Sequence, residues 1–263
     1  MPDYEIVDVT ADNLGQYDLF CQKSKAKEKG YKEKVGWFRE RSKEGLKIKL
    51  LMVDEGKKDL VSRGFIEYTP AEHGWRVVDA PGYMLIHCIW VVGKHKKKGY
   101  GARLLKACIK DAEEAGKKGV TVIASDANWL PGKKIFINHG FEIVDKAPAV
   151  FDLLVKRFTP SPPSPAPSFP ADWEARLKRY PKGLTILRTR QCPYTEDATG
   201  IALKTAKERN IEARAVELAT SKDVQTLSPS AYGVFSIVYN GNLLSYHYLL
   251  EKDLAARLDE FGK

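Results

Sequence analysis

Residues 83–105 read YMLIHCIWVVGKHKKKGYGARLL, an apolar run followed by lysines, a Gly-Tyr-Gly and a second apolar run. The first ten residues are typical of a central β-strand. Apolar side chains then recur at helical spacing, at Leu104, Leu105, Cys108, Ile109 and Ala112. A strand, two glycines and a helix form the layout of an anion site, because the first turn of a helix has free N–H groups and its dipole favours negative charge.

The basic run at residues 94–98 also allows two broader interpretations, a solvated surface or a patch for nucleic acid. The spacing of the glycines excludes two common phosphate-binding motifs. The stretch contains no GxxxxGK[ST], and Gly93, Gly99 and Gly101 do not form GxGxxG. The glycines nevertheless indicate a loop whose backbone approaches a ligand closely.

The segments around this stretch predict an α/β domain with a mostly sequential sheet. A turn at Glu55-Gly56 is expected to join two adjacent strands. The helix after the lysines ends at Gly116 and Gly119, and residues 132–140 predict a short helix. The expected strands are 46–54, 58–70, 83–92, 120–125 and the closing segments EIVD and FDLLVKRF.

The chain of 263 residues has an ordinary globular composition, with 43% hydrophobic and 29% charged residues. The first 158 residues carry 29 basic and 22 acidic side chains, so most of the net charge of +9 lies in that half. No apolar segment approaches the roughly 20 residues of a membrane span. The acidic start, MPDYEIVDVTADN, lacks the layout of a signal peptide.

The four cysteines form no CxxC pair and no metal-ligand spacing; they are Cys21, Cys88, Cys108 and Cys192. These features predict a reduced, cytoplasmic protein without a metal site. Residues 159–170, TPSPPSPAPSFP, hold six of the 14 prolines and are expected to form a semi-rigid spacer. The predicted organisation is therefore a domain at 1–158, a linker at 159–171 and a domain at 172–263.

Two stretches of the first domain resemble the GNAT acyltransferase superfamily, whose motif [Q/R]-x-x-G-x-[G/A] follows a strand and precedes a helix. KKKGYG at 96–101 fits this motif, with Lys96 where Gln or Arg is usual. ANWLPGKKIFINHGFEIVD resembles the family's N-x-x-A-x-x-x-Y-x-x-x-G-F ending, with Asn128 and Phe136 at motif positions. The resemblance implies a GNAT fold, acetyl-CoA as cosubstrate and direct transfer of the acetyl group to an amine of a small molecule or peptide.

The resemblance also implies which residues bind acetyl-CoA. The strand would pair through its backbone with the pantetheine arm, and the loop amides would hold the pyrophosphate, with Lys96 and Lys97 adding charge. Lys94 and His95 are expected to be solvated loop. The implied binding residues are Ile89, Trp90, Val91, Lys96, Lys97, Lys98, Gly99, Tyr100, Gly101, Ala102, Asn128 and Phe136.

Two catalytic positions of the family hold apolar residues in this chain. Phe136 aligns with the tyrosine that commonly protonates the leaving thiolate, and Leu85 falls where some relatives have a glutamate base. A lysine-like amine has a pKa of ~10.4, so its proton must still be removed. Glu67 is the first candidate for base or water-orienter and His87 the second; Cys88 and Tyr83 are further candidates.

The second domain has the order strand, helix, strand, hairpin and helix, with Cys-Pro-Tyr at the start of its first helix. This order resembles the thioredoxin/glutaredoxin fold, in which a cysteine at that place has a stabilised thiolate. Thr195 replaces the second cysteine of CxxC, and Pro229 is too early for the family's cis-proline. Dithiol oxidoreductase activity is therefore not expected. The whole arrangement is similar to that of YoaP-type acetyltransferases.

Four functions follow from these features. The leading one is an acetyl-CoA-dependent N-acetyltransferase whose thioredoxin-like domain covers or extends the acceptor side. A degenerate GNAT that senses acetyl-CoA is the alternative, prompted by Phe136 and Leu85. A nucleic-acid partner is not expected, because no aromatic residues are interleaved with residues 94–98. A monothiol redox enzyme would require a reactive Cys192. No membrane partner is expected, and a homodimer stays open.

Overall fold

The computed structural model describes residues 4–127, 129–159 and 165–261. The chain forms two compact units, each built from three segments. Unit 1 comprises Met1–Lys23, Phe38–Gly74 and Val78–Phe169, and unit 2 comprises Ser24–Trp37, Trp75–Val77 and Pro170–Lys263. The division predicted from the proline-rich segment assigned 24–37 and 75–77 to the first domain, and the structure groups both with unit 2.

Unit 1 contains a seven-stranded sheet in the order β1-β2-β3-β4-β5-β7-β6. Neighbouring strands are antiparallel except for the parallel pair β4 and β5. The sheet follows chain order except at β6 and β7, which confirms the predicted α/β fold. The strands are β1 Tyr4–Val9, β2 Lys47–Val53, β3 Val61–Pro70, β4 Met84–Val91, β5 Gly119–Ala124, β6 Glu142–Ala147 and β7 Phe151–Arg157.

Three helices belong wholly or partly to the first 158 residues, namely α1 Lys29–Arg41, α2 Tyr100–Glu114 and α3 Lys134–Ile137. The apolar face predicted for α2 is confirmed, because Leu104, Leu105, Cys108 and Ala112 are all fully buried. They pack with side chains from the central strands. Burial of each large apolar side chain contributes about 1.5–3 kcal/mol, so this face fixes α2 against the sheet.

The end of the proline-rich segment packs onto unit 1. Ser168 and Asp79 exchange two backbone hydrogen bonds of 2.9 Å each. Phe169 is 9% exposed, and its N–H donates to Oδ2 of Asp145 at 2.7 Å. Residues 168 and 169 are therefore anchored by unit 1, whereas the sequence predicted a spacer over the whole of 159–171. Residues 160–164 lie outside the described part of the chain.

Unit 2 contains a four-stranded sheet in the order β11-β10-β8-β9. β8 and β9 are parallel, and the other two pairs are antiparallel. The predicted hairpin turn is confirmed, since Asn240 and Gly241 have φ angles of +47° and +79°. The elements are α4 Trp173–Leu177, β8 Leu184–Arg188, α5 Tyr194–Glu208, β9 Ala213–Glu217, α6 Ser221–Leu227, β10 Phe235–Tyr239, β11 Asn242–Ser245 and α7 Glu251–Phe261.

The short segment Trp75–Val77 is built into unit 2. The indole rings of Trp75 and Trp37 meet edge to face with centroids 5.3 Å apart. The N–H of Val77 donates to the carbonyl of Ala231 at 3.2 Å. A Cβ at Gly233 would lie 3.2 Å from both Cα of Arg76 and the carbonyl oxygen of Trp75. Within the described residues, no helix is both long and apolar enough to span a membrane.

Candidate active site

Strands β4 and β5 pair over only part of their length. Residues 84–86 of β4 pair with 120–122 of β5, whereas β4 pairs with β3 along its length to Val91. In the described strands, the register pairing of β4 with β5 thus ends at Ile86, and the β5-facing edge is open at residues 89–91. The predicted pantetheine-binding residues Ile89, Trp90 and Val91 lie on this open edge. An extended ligand with amide groups can pair with such an edge as an added strand does.

The chain after β4 reverses direction in a short glycine-containing loop. A 3-10 turn at Gly93–His95 is followed by Lys97 with φ +62° and Gly99 with φ +77°, and α2 begins at Tyr100. A non-glycine residue with positive φ is uncommon and often marks a functional site. A Cβ at Gly99 would meet no atom within 4 Å. The loop is therefore compact in its backbone and open on the side of Gly99.

The first turn of α2 provides an electropositive pole. Its leading amides, from Tyr100 to Ala102, have no acceptor inside the helix, and the turn contains no acidic residue. Lys96, Lys97 and Lys98 are exposed beside it. Amides, helix dipole and lysine charge together favour an anion such as a diphosphate. The loop that the sequence predicted thus has the geometry of an anion site.

Two members of the predicted binding set contact each other. Trp90 is 49% exposed, and Nζ of Lys96 lies 4.3 Å from the centroid of its aromatic ring. Such a cation–π contact stabilises an exposed pair by about 0.5–1 kcal/mol.

Gly101 has a packing role, because a Cβ there would lie 2.9 Å from Cδ1 of Ile135. Ala102 is half-buried.

His95 differs from the sequence-based expectation, whereas the side chain of Lys94 is 72% exposed, as expected for a solvated loop. His95 is only 4% exposed, and its Nε2 lies 2.8 Å from Oε1 of Glu55. Nζ of Lys94 lies 2.9 Å from the same oxygen. The expected solvated loop is wrong for His95, because a carboxylate from the β2–β3 turn binds this part of the loop. Hydrogen bonds from Arg63, then Lys94 and His95, hold the pKa of Glu55 below its usual range.

Glu67 and His87 are brought together on adjacent strands. Nδ1 of His87 lies 3.2 Å from Oε1 of Glu67, and each residue is 2% exposed. The β3–β4 register shifts between Glu67 and Tyr68, so Cys88 pairs with Glu67 and Ile86 with Tyr68. His87 is the extra residue of this irregularity. A carboxylate in this place can orient the imidazole and stabilise its protonated form.

Phe136 and Leu85, the apolar residues at the two catalytic positions of the family, lie in the core. Phe136 is fully buried and packs edge to face against Phe141, with centroids 5.5 Å apart. Leu85 is also fully buried. Neither can transfer a proton, and the burial of Phe136 favours a packing role for its side chain over contact with a ligand. Asn128, the remaining predicted binding residue, lies outside the described residues.

Comparison with known proteins supports the class of protein that this geometry indicates. Residues 17–129 match the model of the Acetyltransferase (GNAT) family. An uncharacterized N-acetyltransferase of Bacillus subtilis (strain 168), YoaP, is 28% identical over 249 residues, with 92% of this chain and 94% of YoaP covered. This likeness therefore extends beyond residues 17–129 into unit 2.

Two solved structures are similar to part of the chain. One is the PaiA N-acetyltransferase of Thermoplasma acidophilum in complex with coenzyme A, at 18% identity, covering 59% of this chain and 99% of that one with a TM-score of 0.42. The other is the GNAT family N-acetyltransferase YhbS of Escherichia coli in complex with CoA, at 12% identity, 64% and 90% coverage and a TM-score of 0.43.

Residues 17–129 are thus similar to the GNAT acetyltransferase family, and the chain as a whole is similar to the N-acetyltransferase of Bacillus subtilis. The enzyme class is acyltransferase, and the acetyl donor used by this family is acetyl-CoA, as the sequence predicted.

Replacing Gly99 with alanine tests the loop. Gly99 and Gly116 both have left-handed backbones, with φ +77° and +63°, and both face open space. We expect each alanine to cost about 1 kcal/mol of folding free energy from the backbone alone. Only G99A should weaken acetyl-CoA binding, by about tenfold or more in Kd, as measured by calorimetry. Equal affinity in the two variants would mean that the loop does not bind the donor.

Replacing Phe136 with tyrosine tests whether this position can regain the family's acid. We expect F136Y to lose about 1–3 kcal/mol of stability, because its hydroxyl would be buried among apolar side chains. Phe261, which is 50% exposed, provides the control, and F261Y should change stability by less than about 0.5 kcal/mol. Urea unfolding measures both. A stable F136Y variant with faster acetyl transfer would contradict the packing role.

Proposed function

We propose that the chain transfers the acetyl group of acetyl-CoA directly to an amine of a small molecule or peptide. The observation that carries this proposal is the open edge of β4, which leads into the left-handed loop and the N-terminus of α2. The edge at Ile89–Val91 would pair with the pantetheine arm. The amides of residues 97–102 and the lysines at 96–98 would bind the diphosphate.

In this proposal, the reaction needs a neutral amine and a departing thiolate. The amine nitrogen forms a bond with the acetyl carbon, the bond from that carbon to sulfur breaks, and coenzyme A leaves as a thiol after gaining a proton. His87 would accept the proton of the incoming ammonium, directly or through water. Glu67 would orient the imidazole and stabilise its charged form. The burial of both groups favours a base shielded from bulk solvent.

Release of free coenzyme A thiol from acetyl-CoA tests this function across polyamines, amino acids, aminoglycosides and peptides. With an accepted amine, we expect H87N and E67Q to lower kcat by about 10²- to 10⁴-fold while acetyl-CoA affinity stays near that of the wild type. T69V is the matched control, since Thr69 is a buried polar residue of β3 that lies two positions from Glu67 and has no proposed role in proton transfer.

The same panel separates the proposed enzyme from its alternative. Acetyl-CoA binding without turnover of any amine class would favour a degenerate GNAT that senses acetyl-CoA, as Phe136 and Leu85 suggested. Full activity of H87N and E67Q would contradict the roles given to these two residues, and the base would then have to lie elsewhere.

We further propose that unit 2 is a thioredoxin-like domain that serves as a scaffold. Its strand order and its βαβ start support the fold. Thr195, at the place of a second cysteine, donates its hydroxyl to the carbonyls of Thr189 and Cys192, at 2.8 Å each. These bonds stabilise the turn before α5, which favours a structural role over a redox role for the side chain at this position.

The start of helix α1, residues 29–33, packs against the turn at Cys192 and Pro193. Arg188, 7% exposed, pairs with both Glu33 and Glu196, and Lys29 pairs with Glu196 at 2.6 Å. A Cβ at Gly30 would lie 2.3 Å from the carbonyl oxygen of Pro193. Because residues 29–33 occupy the surface beside Pro193, a scaffold is favoured over a monothiol redox enzyme that receives an external substrate.

Two glycines of α1 provide a paired test of the scaffold. Gly36 faces open space, whereas Gly30 lies against Pro193. We expect G36A to stabilise the protein by about 0.5–1 kcal/mol, since alanine favours a helix, and G30A to destabilise it by about 1–3 kcal/mol through overpacking. Urea unfolding measures both effects.

Removal of the thiol completes the scaffold test. C192A should leave the rate of acetyl transfer and the affinity for acetyl-CoA unchanged. A strong loss of activity in C192A, with stability preserved, would contradict the scaffold role and support a reactive Cys192.

A further inference from the structure

Glu55 is the meeting point of four basic side chains in unit 1, namely Arg63, Lys94 and His95 within hydrogen-bond distance and Lys57 at 3.8 Å. It lies in the turn between β2 and β3, and its side chain is only 9% exposed. Its oxygens accept from Nε and Nη2 of Arg63 at 3.0 and 2.6 Å and from Nζ of Lys94 at 2.9 Å, and Nε2 of His95 lies 2.8 Å away. A carboxylate with this many charge-assisted partners has a fixed position.

The same contacts join the end of β4 to the β2–β3 turn. Arg63 is on β3, and its carbonyl also accepts from the N–H of Val92 at 2.9 Å. Lys94 and His95 form the 3-10 turn that immediately precedes Lys97 and Gly99. Side-chain and backbone bonds therefore hold residues 92–95 at the entrance of the anion-binding loop.

The other end of the loop is also fixed. The ring of His95 lies 6.2 Å from that of Tyr100, the first residue of α2. Tyr100 is 8% exposed and its ring is 5.6 Å from that of Tyr4. Between these two fixed ends, only the residues from Lys96 to Gly99 remain exposed. The loop is thus held in one shape by contacts on both sides.

We propose that Glu55 is a positioning residue for donor binding, which holds the loop amides in the arrangement that a diphosphate requires. This inference rests on the proposed function, since it assigns the loop to the phosphates of acetyl-CoA. Glu55 need not touch the donor. Its bonds to Lys94 and His95 remove the ordering cost that a mobile loop would incur on binding. Its negative charge is balanced by Arg63 and Lys94.

The test compares E55Q with E142Q in the full chain. Glu142 also pairs with an arginine of unit 1, Arg157 at 3.4 Å, but its side chain is 77% exposed and lies on β6. Hydrogen exchange of the amides of residues 92–99 is measured without ligand. Kd is then measured for acetyl-CoA, and transfer is also followed with acetyl-pantetheine, a donor that lacks the nucleotide phosphates.

We expect E55Q to speed exchange in residues 92–99 and to raise the Kd for acetyl-CoA about tenfold. The kcat with saturating acetyl-CoA and the rate with acetyl-pantetheine should stay unchanged, since neither depends on holding the phosphates. E142Q should resemble the wild type in every measurement. This split distinguishes a positioning role from a general loss of stability, which would affect both donors.

Three outcomes would overturn the inference. Unchanged exchange in E55Q would show that the carboxylate does not hold the loop. Faster exchange with an unchanged Kd for acetyl-CoA would show that donor binding does not depend on the order of the loop. Tighter acetyl-CoA binding by E55Q would show that the negative charge of Glu55 weakens binding of the phosphates. This repulsion would then outweigh any gain in affinity from the ordered loop. If the wild type itself binds no acetyl-CoA, the proposed function fails, and the exchange data alone decide whether Glu55 orders residues 92–99.

Discussion

Strand β4 has two neighbours over its first three residues and only one over the rest, and the candidate site depends on this difference. Backbone N–H and C=O groups inside a sheet need partners. The register pairing of β4 with β5 ends at Ile86, and residues 89–91 lie beyond it. In the proposed function, a ligand that carries amides along an extended arm would pair with this edge. The opening also ends where the loop with positive φ begins, so the edge and the anion site form one continuous surface.

The basic run in the middle of the chain is divided between two tasks. Lys94 and His95 contact the protein's own carboxylate, Glu55, and contribute to the shape of the loop. Lys96, Lys97 and Lys98 remain exposed and contribute charge. Charge alone would make a surface attractive to any polyanion. In the proposed function, a loop with fixed amides would favour a compact diphosphate over other polyanions, so the fold around the lysines would matter more than their number.

Local patterns predicted the features that depend on neighbours in sequence. The buried face of α2 follows from its apolar spacing, and the hairpin turn from Asn240-Gly241. The sequence placed Glu67 and His87 on adjacent strands, so it predicted that the two residues could lie close together. Their contact nevertheless required a shift in register that no sequence pattern indicates.

Contacts between distant segments could not be predicted in this way. Glu55 and His95 are 40 residues apart, and an acidic residue in a polar turn looks like an ordinary solvated side chain. The membership of residues 24–37 in unit 2 had no local signal either. The lysines and glutamates of this segment have the composition of an exposed helix face. The partner of Glu33, Arg188, is 155 residues away in the chain.

Unit 2 is formed by three separate segments of the chain, and this arrangement determines which contacts the unit provides. Two of its three segments, 24–37 and 75–77, interrupt unit 1 in the sequence. A chain cut at the proline-rich segment would keep these segments and lose what they pack on, including the Ala231 carbonyl that accepts from Val77 and the Arg188 guanidinium that pairs with Glu33. The apolar surface of Trp37 and Trp75 would then lack much of its cover, at a cost comparable with the net stability of a domain. The part of unit 2 that follows the proline-rich segment is therefore needed for the packing of residues 24–37 and 75–77, whatever else the unit does.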